Sequence, residues 1–546
     1  MIGVGAAGGL AGCGAGGDGG ATDTDAGATD TDAGGFGATD TGTTVSELPD
    51  VSGTYDTVQA STFTTLNPLY NTENGAGIAI GRALDLGYTF DDSQEYFPLL
   101  YDMSTDNGEV WVFEVREGME FSDPYGEVTA ESFVYQIQEL HQSGWAATAQ
   151  TSDWPSEINV EQNSTYEFQA ELPNPRILWP ETFQPQLYPI PRDLVEPYVE
   201  EEDTQGLEED EELLELQFTG NLGAFTLDEW ERSAGTTYSR TDDYYLQDVD
   251  EGPTIFNNAP YFEGASIQIV EEQSSRLGAL ESGEVDSAAI PPARFEEYQE
   301  NDSVDVYQIP QPYNEKVSVN MRDNGWSAGP GNLFRHVPFR QAMAMAISKQ
   351  NLIDGVFRGR AAPHYTWQPR FSQFYPGDDS VETYGMGDLY GADVAQERAQ
   401  QAFEASEYDY AFDGDTMVNP SGDQVTLNIY HSSGQETEQL MAEFIAEELG
   451  ANLGMDVIVE AINGTRFDED YWNASDIPTV ERNDDGEVTN VPDELVDTVN
   501  GEEVEWTQPG PTNPGPRNIT SNEPWDMEVV FGLNTYPRNP LTNTAF

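Results

Sequence analysis

From about residue 51 onward, runs with the two-residue period of a strand alternate with runs at the spacing of a helix face. Val110–Val115 (VWVFEV) is dense in β-branched and aromatic residues and predicts a strand. Phe133, Ile137 and Leu140 share one helical face behind Thr129, whose hydroxyl suits an N-cap. A second helix is predicted from near Ser274, carrying Leu277 and Leu280 to a stop at Gly283. Pro338 fits the first turn of a third, with Phe339, Met343 and Ile347 at four-residue steps. A fourth covers Ala392–Ala405, with small apolar residues at 392, 395, 399 and 402 and then Phe403.

The clearest unit is Val425–Ala461. Val425–Tyr430 reads as a strand, and Glu436–Leu449 as a helix with Leu440, Met441, Phe444, Ile445 and Leu449 inward. Gly454 then precedes a second strand, Asp456–Ala461. Strand, helix and strand at this spacing predict a right-handed parallel crossover and hence an α/β chain. Residues 475–523 break the pattern. They are acidic, contain Pro-Gly-Pro-Thr-Asn-Pro-Gly-Pro at 509–516, and read as a long surface loop.

Charge narrows the function. There are 100 Asp plus Glu against 21 Lys plus Arg, a net −79, with Lys316 and Lys349 the sole lysines. Too few cations are present to neutralise phosphates, which excludes nucleic acid as a partner, and an anionic bilayer surface would repel the chain. Lysine depletion with spread-out carboxylates is the composition of a halophilic protein, whose self-repulsion is screened in molar salt. The acidic runs at 200–203 and 208–212 read as solvated faces.

The first fifty residues differ from the rest. Ile2–Gly12 are apolar or small, too few to span a bilayer, and end in Leu10-Ala11-Gly12-Cys13. This tetrapeptide resembles the lipobox of secreted lipoproteins, which makes Cys13 the expected lipidation site and the outer face of the cell membrane the expected location. No basic residue precedes Arg82, so the signal's start is expected upstream of Met1. Residues 14–50 are a Gly, Asp, Thr and Ala spacer in which ATDTDAG occurs twice, at 21–27 and 28–34. With Cys13 the single cysteine, no disulfide within the chain is available.

Several segments, in order, resemble solute-binding family 5 of ATP-binding-cassette importers, the dipeptide- and oligopeptide-binding type. They are Thr65-Leu66-Asn67-Pro68; Trp111–Asp123 with Val128–Tyr135; Gly223-Ala224-Phe225 with Arg240–Tyr245; Ser275–Asp286; and Asn320 with Val337–Met343. The resemblance implies an α/β, two-lobed periplasmic-binding-protein-like fold of type II with an extra inserted domain. It places lobe I at 51–88 and 216–312, the insertion at 89–215 and lobe II at 313–546, with further residues after Phe546 to complete that lobe. It implies capture of a peptide or other small solute between the lobes and delivery to membrane permease subunits, by a monomer needing no cofactor or metal. One departure concerns the ligand. The family's G-W-x-x-D-Y-x-x-P stretch corresponds to Gly532–Pro540, where Tyr536 stands in place of an amine-binding Asp. A phenol carries no charge at neutral pH, so the solute class stays open between peptide, sugar and others.

Candidate ligand contacts are the loop residues Glu73, Trp154, Asn320, Trp367, Asn534 and Tyr536, with Trp326 as a further aromatic. Sequons stand at Asn163, Asn463, Asn473 and Asn518, each a possible glycan acceptor on an exported chain. Catalysis finds little support. His141, His336, His364 and His431 are isolated, and no Gly-x-Ser-x-Gly elbow or phosphate loop occurs. Carboxylate pairs are too abundant to single one out, which leaves a glycoside-active hydrolase as the alternative, and the scattered histidines give a nickel-binding variant little support. The charge carries a direct test. The thermal unfolding midpoint is expected to rise by on the order of 10 °C between 0.1 M and 2 M KCl, followed by circular dichroism; an unchanged midpoint would remove the halophilic reading.

Overall fold

A computed structural model describes residues 50–90, 96–248, 258–308, 313–366, 374–463, 466–467, 471, 478, 480–483, 488–499, 502–506 and 517–534. Its contacts divide the chain into two units, one centred on Thr62–Gln268 and the other on the residues from Ile269 onward. The first contains β1 (Thr54–Gln59, which continues into the second unit), α1 (Asn74–Ala83), β2 (Tyr88–Phe90), β3 (Tyr96–Pro98), β4 (Tyr101–Ser104) and β5 (Val110–Val115). After these come α2 (Ala130–Gln136), β6 (Asn159–Gln162), β7 (Glu167–Glu171), α3 (Arg192–Glu201), α4 (Thr204–Glu208), α5 (Glu211–Leu214), β8 (Phe225–Glu231), β9 (Gly235–Arg240) and β10 (Gly264–Ile269). Two four-stranded sheets result, in the orders β4–β5–β7–β6 and β1–β10–β9–β8.

The first of these sheets carries an aromatic core. Phe113 of β5 stacks on Phe168 of β7 with ring centroids 4.3 Å apart, as the register that pairs these two residues requires. Phe133 of α2 stacks on the other side of Phe168 at 5.8 Å, and Tyr101 meets both edge-on. Thr129 is the N-cap of α2 as expected, its backbone N–H donating to Ser132 Oγ at 3.4 Å. Ile137 and Leu140 follow in a π turn, Ile137–His141, and both are buried. The Thr-Leu-Asn-Pro segment also serves the framework. Its Asn67 is wholly buried, donating to the Leu207 carbonyl and accepting the Leu69 N–H.

The second unit begins with α6 (Gln273–Ser282), α7 (Phe295–Gln299) and β11 (Tyr313–Val319). It continues through α8 (Val337–Ala346), α9 (Lys349–Gly355), α10 (Ala392–Ala405), β12 (Ala411–Asp413), β13 (Thr416–Val418), β14 (Thr426–Ser432), α11 (Glu436–Leu453) and β15 (Asp456–Ile462). The last elements are β16 (Glu481–Arg482), β17 (Val488–Asn490), β18 (Val496–Val499), β19 (Glu502–Glu505) and β20 (Met527–Asn534). The main sheet has the order β11–β20–β14–β15. β14 runs parallel to both β15 and β20, whereas β11 is antiparallel to β20. Met441, Ile445 and Leu449 of α11 pack with Leu427, Ile429, Met527 and Val529 of the sheet. The expected strand–helix–strand unit is present, with its first strand at Thr426–Ser432, its helix running on to Leu453 and its second strand ending at Ile462.

The change of unit falls at Gln268–Ile269. Residues 270–308 are fastened to later elements: Gln273 Oε1 accepts the Glu436 N–H, Gln308 accepts from Arg360, and that guanidinium lies 3.3 Å over the Phe295 ring. The acidic stretch 475–523 is also more than a loop where it is described. It forms the hairpins β16–β17 and β18–β19, and buries Leu495 and Ile519. Its hydrophobic positions are too few, and too closely flanked by carboxylates and prolines, to stand out as periodic. Among the described residues, no helix is long and apolar enough to cross a membrane.

His141 supplies a test of the first unit. It is fully buried between Gln136 Nε2, 2.9 Å from its Nε2, and Thr148 Oγ1, 2.7 Å from its Nδ1. Burial pushes its imidazole down to about 3. The unfolded chain therefore takes up a proton near pH 6.5 that the folded chain refuses, so stability is present above that pH and is lost as pH falls toward 3. Between pH 7 and 5 this should cost about 2 kcal/mol. Denaturant unfolding in molar salt should show that much less acid sensitivity in His141→Gln than in the parent chain.

Candidate functional site

The parallel strands β14, β15 and β20 end on one edge of their sheet, at Ser432, Ile462 and Asn534. Solutes of open α/β sheets bind outside such carboxyl ends, where side chains project beyond the packed interior. Glu315 of β11 pairs with Phe531, past the last residue of β14, and so reaches this edge. Among the described residues its Oε2 is buried without a partner, and burial together with the Glu438 carboxylate pushes Glu315 up to about 8. Glu438, in the first turn of α11, accepts the Ser432 N–H at 2.9 Å. On the opposite face of the sheet, burial lowers Lys316 to about 8 against the pull of the Glu528 carboxylate. That face also holds a cluster of rings in which Tyr430, Phe467 and Trp525 are buried beside a half-buried Tyr471.

The first unit holds a second polar constellation. Asp85 follows α1, and its Oδ2 accepts from the hydroxyls of Tyr244 at 2.6 Å and Tyr245 at 2.9 Å. The two rings meet edge-on at 5.2 Å. Burial lifts Asp85 to about 6, and both phenolic hydrogen bonds oppose that rise. The backbone around it has no slack. A side chain at Gly223 would lie 2.1 Å from the Ala83 carbonyl carbon, and one at Gly87 would enter the Tyr101 ring. The Gly87 carbonyl accepts three N–H groups, from Leu99, Leu100 and Tyr101. On the sheet of β8–β10 a recess of about 290 Å³ is lined by Glu229, Glu231, Thr236, Thr237, Ser266 and Gln268. Among the described residues no three His, Cys, Asp or Glu side chains gather as a metal site.

The structure gives several of the expected contact residues internal roles. Trp154 is wholly buried, with Trp179 at 5.4 Å and Phe113 at 6.4 Å, so packing accounts for its position. Trp326 is buried too, donating to the Tyr410 hydroxyl at 2.8 Å. Asn320 is buried, and its amide is fully used. Nδ2 donates to Ser521 Oγ at 3.3 Å and the Trp525 carbonyl at 3.1 Å, while Oδ1 accepts the Arg322 N–H at 3.1 Å. Glu73 closes its own loop by accepting Thr64 N–H at 3.0 Å and Thr64 Oγ1 at 2.7 Å. Asn534 ends β20 opposite Tyr313, but its side chain, like Trp367, Tyr536, Cys13 and Asn473, lies outside the described residues. Of the other sequons, Asn163 and Asn463 are exposed. The half-buried Asn518 donates its Nδ2 to the Val496 carbonyl at 2.6 Å. Asp85 was not singled out by sequence reasoning; the Arg240–Tyr245 motif, which supplies both phenols, is the signal that leads to it.

A model of bacterial extracellular solute-binding proteins, family 5 Middle, matches residues 97–506. The chain belongs to this family. Among family 5 relatives, the dipeptide-binding protein DppE of Bacillus subtilis (strain 168) is 22% identical over 46% of this chain and 40% of its own length. The chain thus spans about two fifths of that relative. The oligopeptide-binding protein AppA of Bacillus subtilis, solved with a nonapeptide, matches 89% of this chain and 81% of its own at 15% identity, with a TM-score of 0.60. A mannohexaose-bound periplasmic oligopeptide-binding protein from Thermotoga maritima matches 78% of this chain and 74% of its own at 16% identity, with a TM-score of 0.59. The fold is therefore the α/β, two-lobed one of these binding proteins, as the motif order implied.

The roles of Asn320 and Glu73 separate in one measurement. Asn320→Ala strands a buried carbonyl and N–H and is expected to cost about 3 kcal/mol. Glu73→Gln, at a half-buried loop, should cost less than about 1 kcal/mol. Denaturant unfolding of both variants in molar KCl checks this.

Proposed function

We propose that the chain captures a peptide or another small solute outside the cell and hands it to the permease subunits of an ATP-binding-cassette importer, without chemical turnover. The observation that carries this reading is the family 5 match over residues 97–506. The carboxyl edge of the parallel strands β14, β15 and β20 supports it, because that edge is where solutes of such sheets are held. In this reading Trp367, Asn534 and Tyr536 contact the solute, whereas Trp154 and Asn320 are each buried within the fold of their own unit. A lipid on Cys13 and the spacer at 14–50 keep the protein at the outer membrane face. The names of the relatives and neighbours span dipeptides, oligopeptides and an oligomannoside, which sets the range of solutes to try.

Isothermal titration in molar KCl with dipeptides, oligopeptides and mannohexaose is expected to give saturable heat with one class and no product on chromatography. Absence of heat from every class, or turnover of the solute, would defeat the reading. Mass spectrometry of the mature N-terminus tests the tether: a lipidated Cys13 is expected, and an unmodified one in a secreted product would remove it.

A further inference from the structure

The four sequons are not equal once the chain is folded. Asn518 is half-buried, its Nδ2 spent on the Val496 carbonyl at 2.6 Å, with Ile519 buried beside it. Asn463 is exposed but belongs to a turn. Its Oδ1 accepts the Arg466 N–H at 3.1 Å, and its carbonyl accepts the N–H of the buried Phe467 at 2.9 Å. Asn473 lies outside the described residues, as does Thr465, the hydroxyl residue of the Asn463 sequon. Asn163-Ser164-Thr165 is different. All three residues are exposed, at the tip of the hairpin that joins β6 to β7.

The hairpin holds this sequon outward. The Glu167 carbonyl accepts the N–H groups of Asn163 at 2.9 Å and Ser164 at 3.0 Å. The Thr165 carbonyl accepts the Ala130 N–H at 2.8 Å, which fixes the tip to the start of α2. The Asn163 Nδ2 donates to two side chains at the surface, Glu167 Oε1 at 2.9 Å and Gln169 Oε1 at 3.2 Å. Water replaces such exposed bonds at little cost, so the amide nitrogen is open to chemistry.

The place of this tip in the sheet gives a bulky group there a use. β6 is the outer strand of β4–β5–β7–β6, and among the described residues no strand pairs with its other side. Gln138 Nε2 donates to the Val160 carbonyl at 2.7 Å and covers the middle of the strand. Glu161 and Gln162, next to Asn163, are exposed. An open strand edge is a template for pairing with another chain. Carboxylates would ordinarily keep copies apart, but in molar salt their repulsion reaches only about 3 Å. An uncharged glycan works by bulk and hydration, which salt does not screen.

We propose that Asn163 is N-glycosylated and that its glycan covers the open end of β6. The donor is a lipid-phosphate-linked oligosaccharide. A bond forms between Asn163 Nδ2 and the anomeric carbon, and the bond from that carbon to the phosphate oxygen breaks. The hydrogen lost by Nδ2 ends on the released lipid phosphate. The inference takes from the reading above only the location outside the cell and does not depend on solute capture.

The test exports the full chain from a halophilic host with an N-glycosylation system, one of the host's own glycoproteins serving as control, and maps glycopeptides by mass spectrometry. The Asn163 peptide should carry the host glycan and the Asn518 peptide should be bare. Thr165→Ala should lose the glycan and Thr165→Ser should keep it. In molar KCl, light scattering should show Asn163→Gln and Thr165→Ala aggregating several-fold faster than the glycosylated parent. A bare Asn163 beside a glycosylated control, occupancy of Asn518 in its place, or a glycan that survives Thr165→Ala would overturn the assignment. Equal aggregation of the parent and both glycan-free variants would overturn the covering of β6. A glycosylated, exported chain that gives no heat with any solute would defeat solute capture alone and leave this inference standing.

Discussion

The pairing of β20 with two partners at once is the constraint on which the second unit depends. The strand lies between β11 and β14, and its backbone groups must be satisfied on both sides. Residues 527–534 thereby bring together Tyr313–Val319 and Thr426–Ser432, which the chain makes more than a hundred residues apart. Met527 and Val529 are wholly buried between them, so the strand is also central to the core. Remove β20 and β11 becomes an unpaired edge, while β14 keeps only β15.

The approach to β20 has to be held as firmly as the strand itself, and Asn320 does this. It stands just after β11, and its amide binds Ser521 and the Trp525 carbonyl, just before β20. Asp526 continues the clamp by accepting from Ser327 N–H and Oγ at 2.7 Å and from the Asn428 N–H at 2.9 Å, within β14. The polar residues at this end of the sheet therefore fix register, which a hydrophobic core alone specifies poorly. The motif asparagine Asn320 is, in three dimensions, the fastening of the approach to β20.

The elements were legible where one period dominates. Val110–Val115 and Ala392–Ala405 end where their hydrophobic patterns end. The parallel pairing of β14 with β15 followed from a strand, helix and strand of ordinary length. The site was less legible, because its residues are defined by long-range contacts: Asp85 and its phenols lie about 160 positions apart. In a chain with 100 acidic residues, no single aspartate draws notice by its type. Loop tryptophans misled for a related reason. An indole beside a proline looks like an exposed platform, but Trp154 had two aromatic neighbours, contributed by β5 and by the segment after β7, waiting to bury it.

The same excess of carboxylates separates surface from site. At the surface the negative charges keep water and counterions, and salt screens them. Inside, a carboxylate sheds its charge or finds donors, and the protein shows both answers. Glu315, with Glu438 nearby and no partner at Oε2 among the described residues, is pushed up to about 8 and is neutral at pH 7. Asp85 meets two phenols that oppose the effect of burial, which holds it near 6 and leaves it ionised at neutral pH.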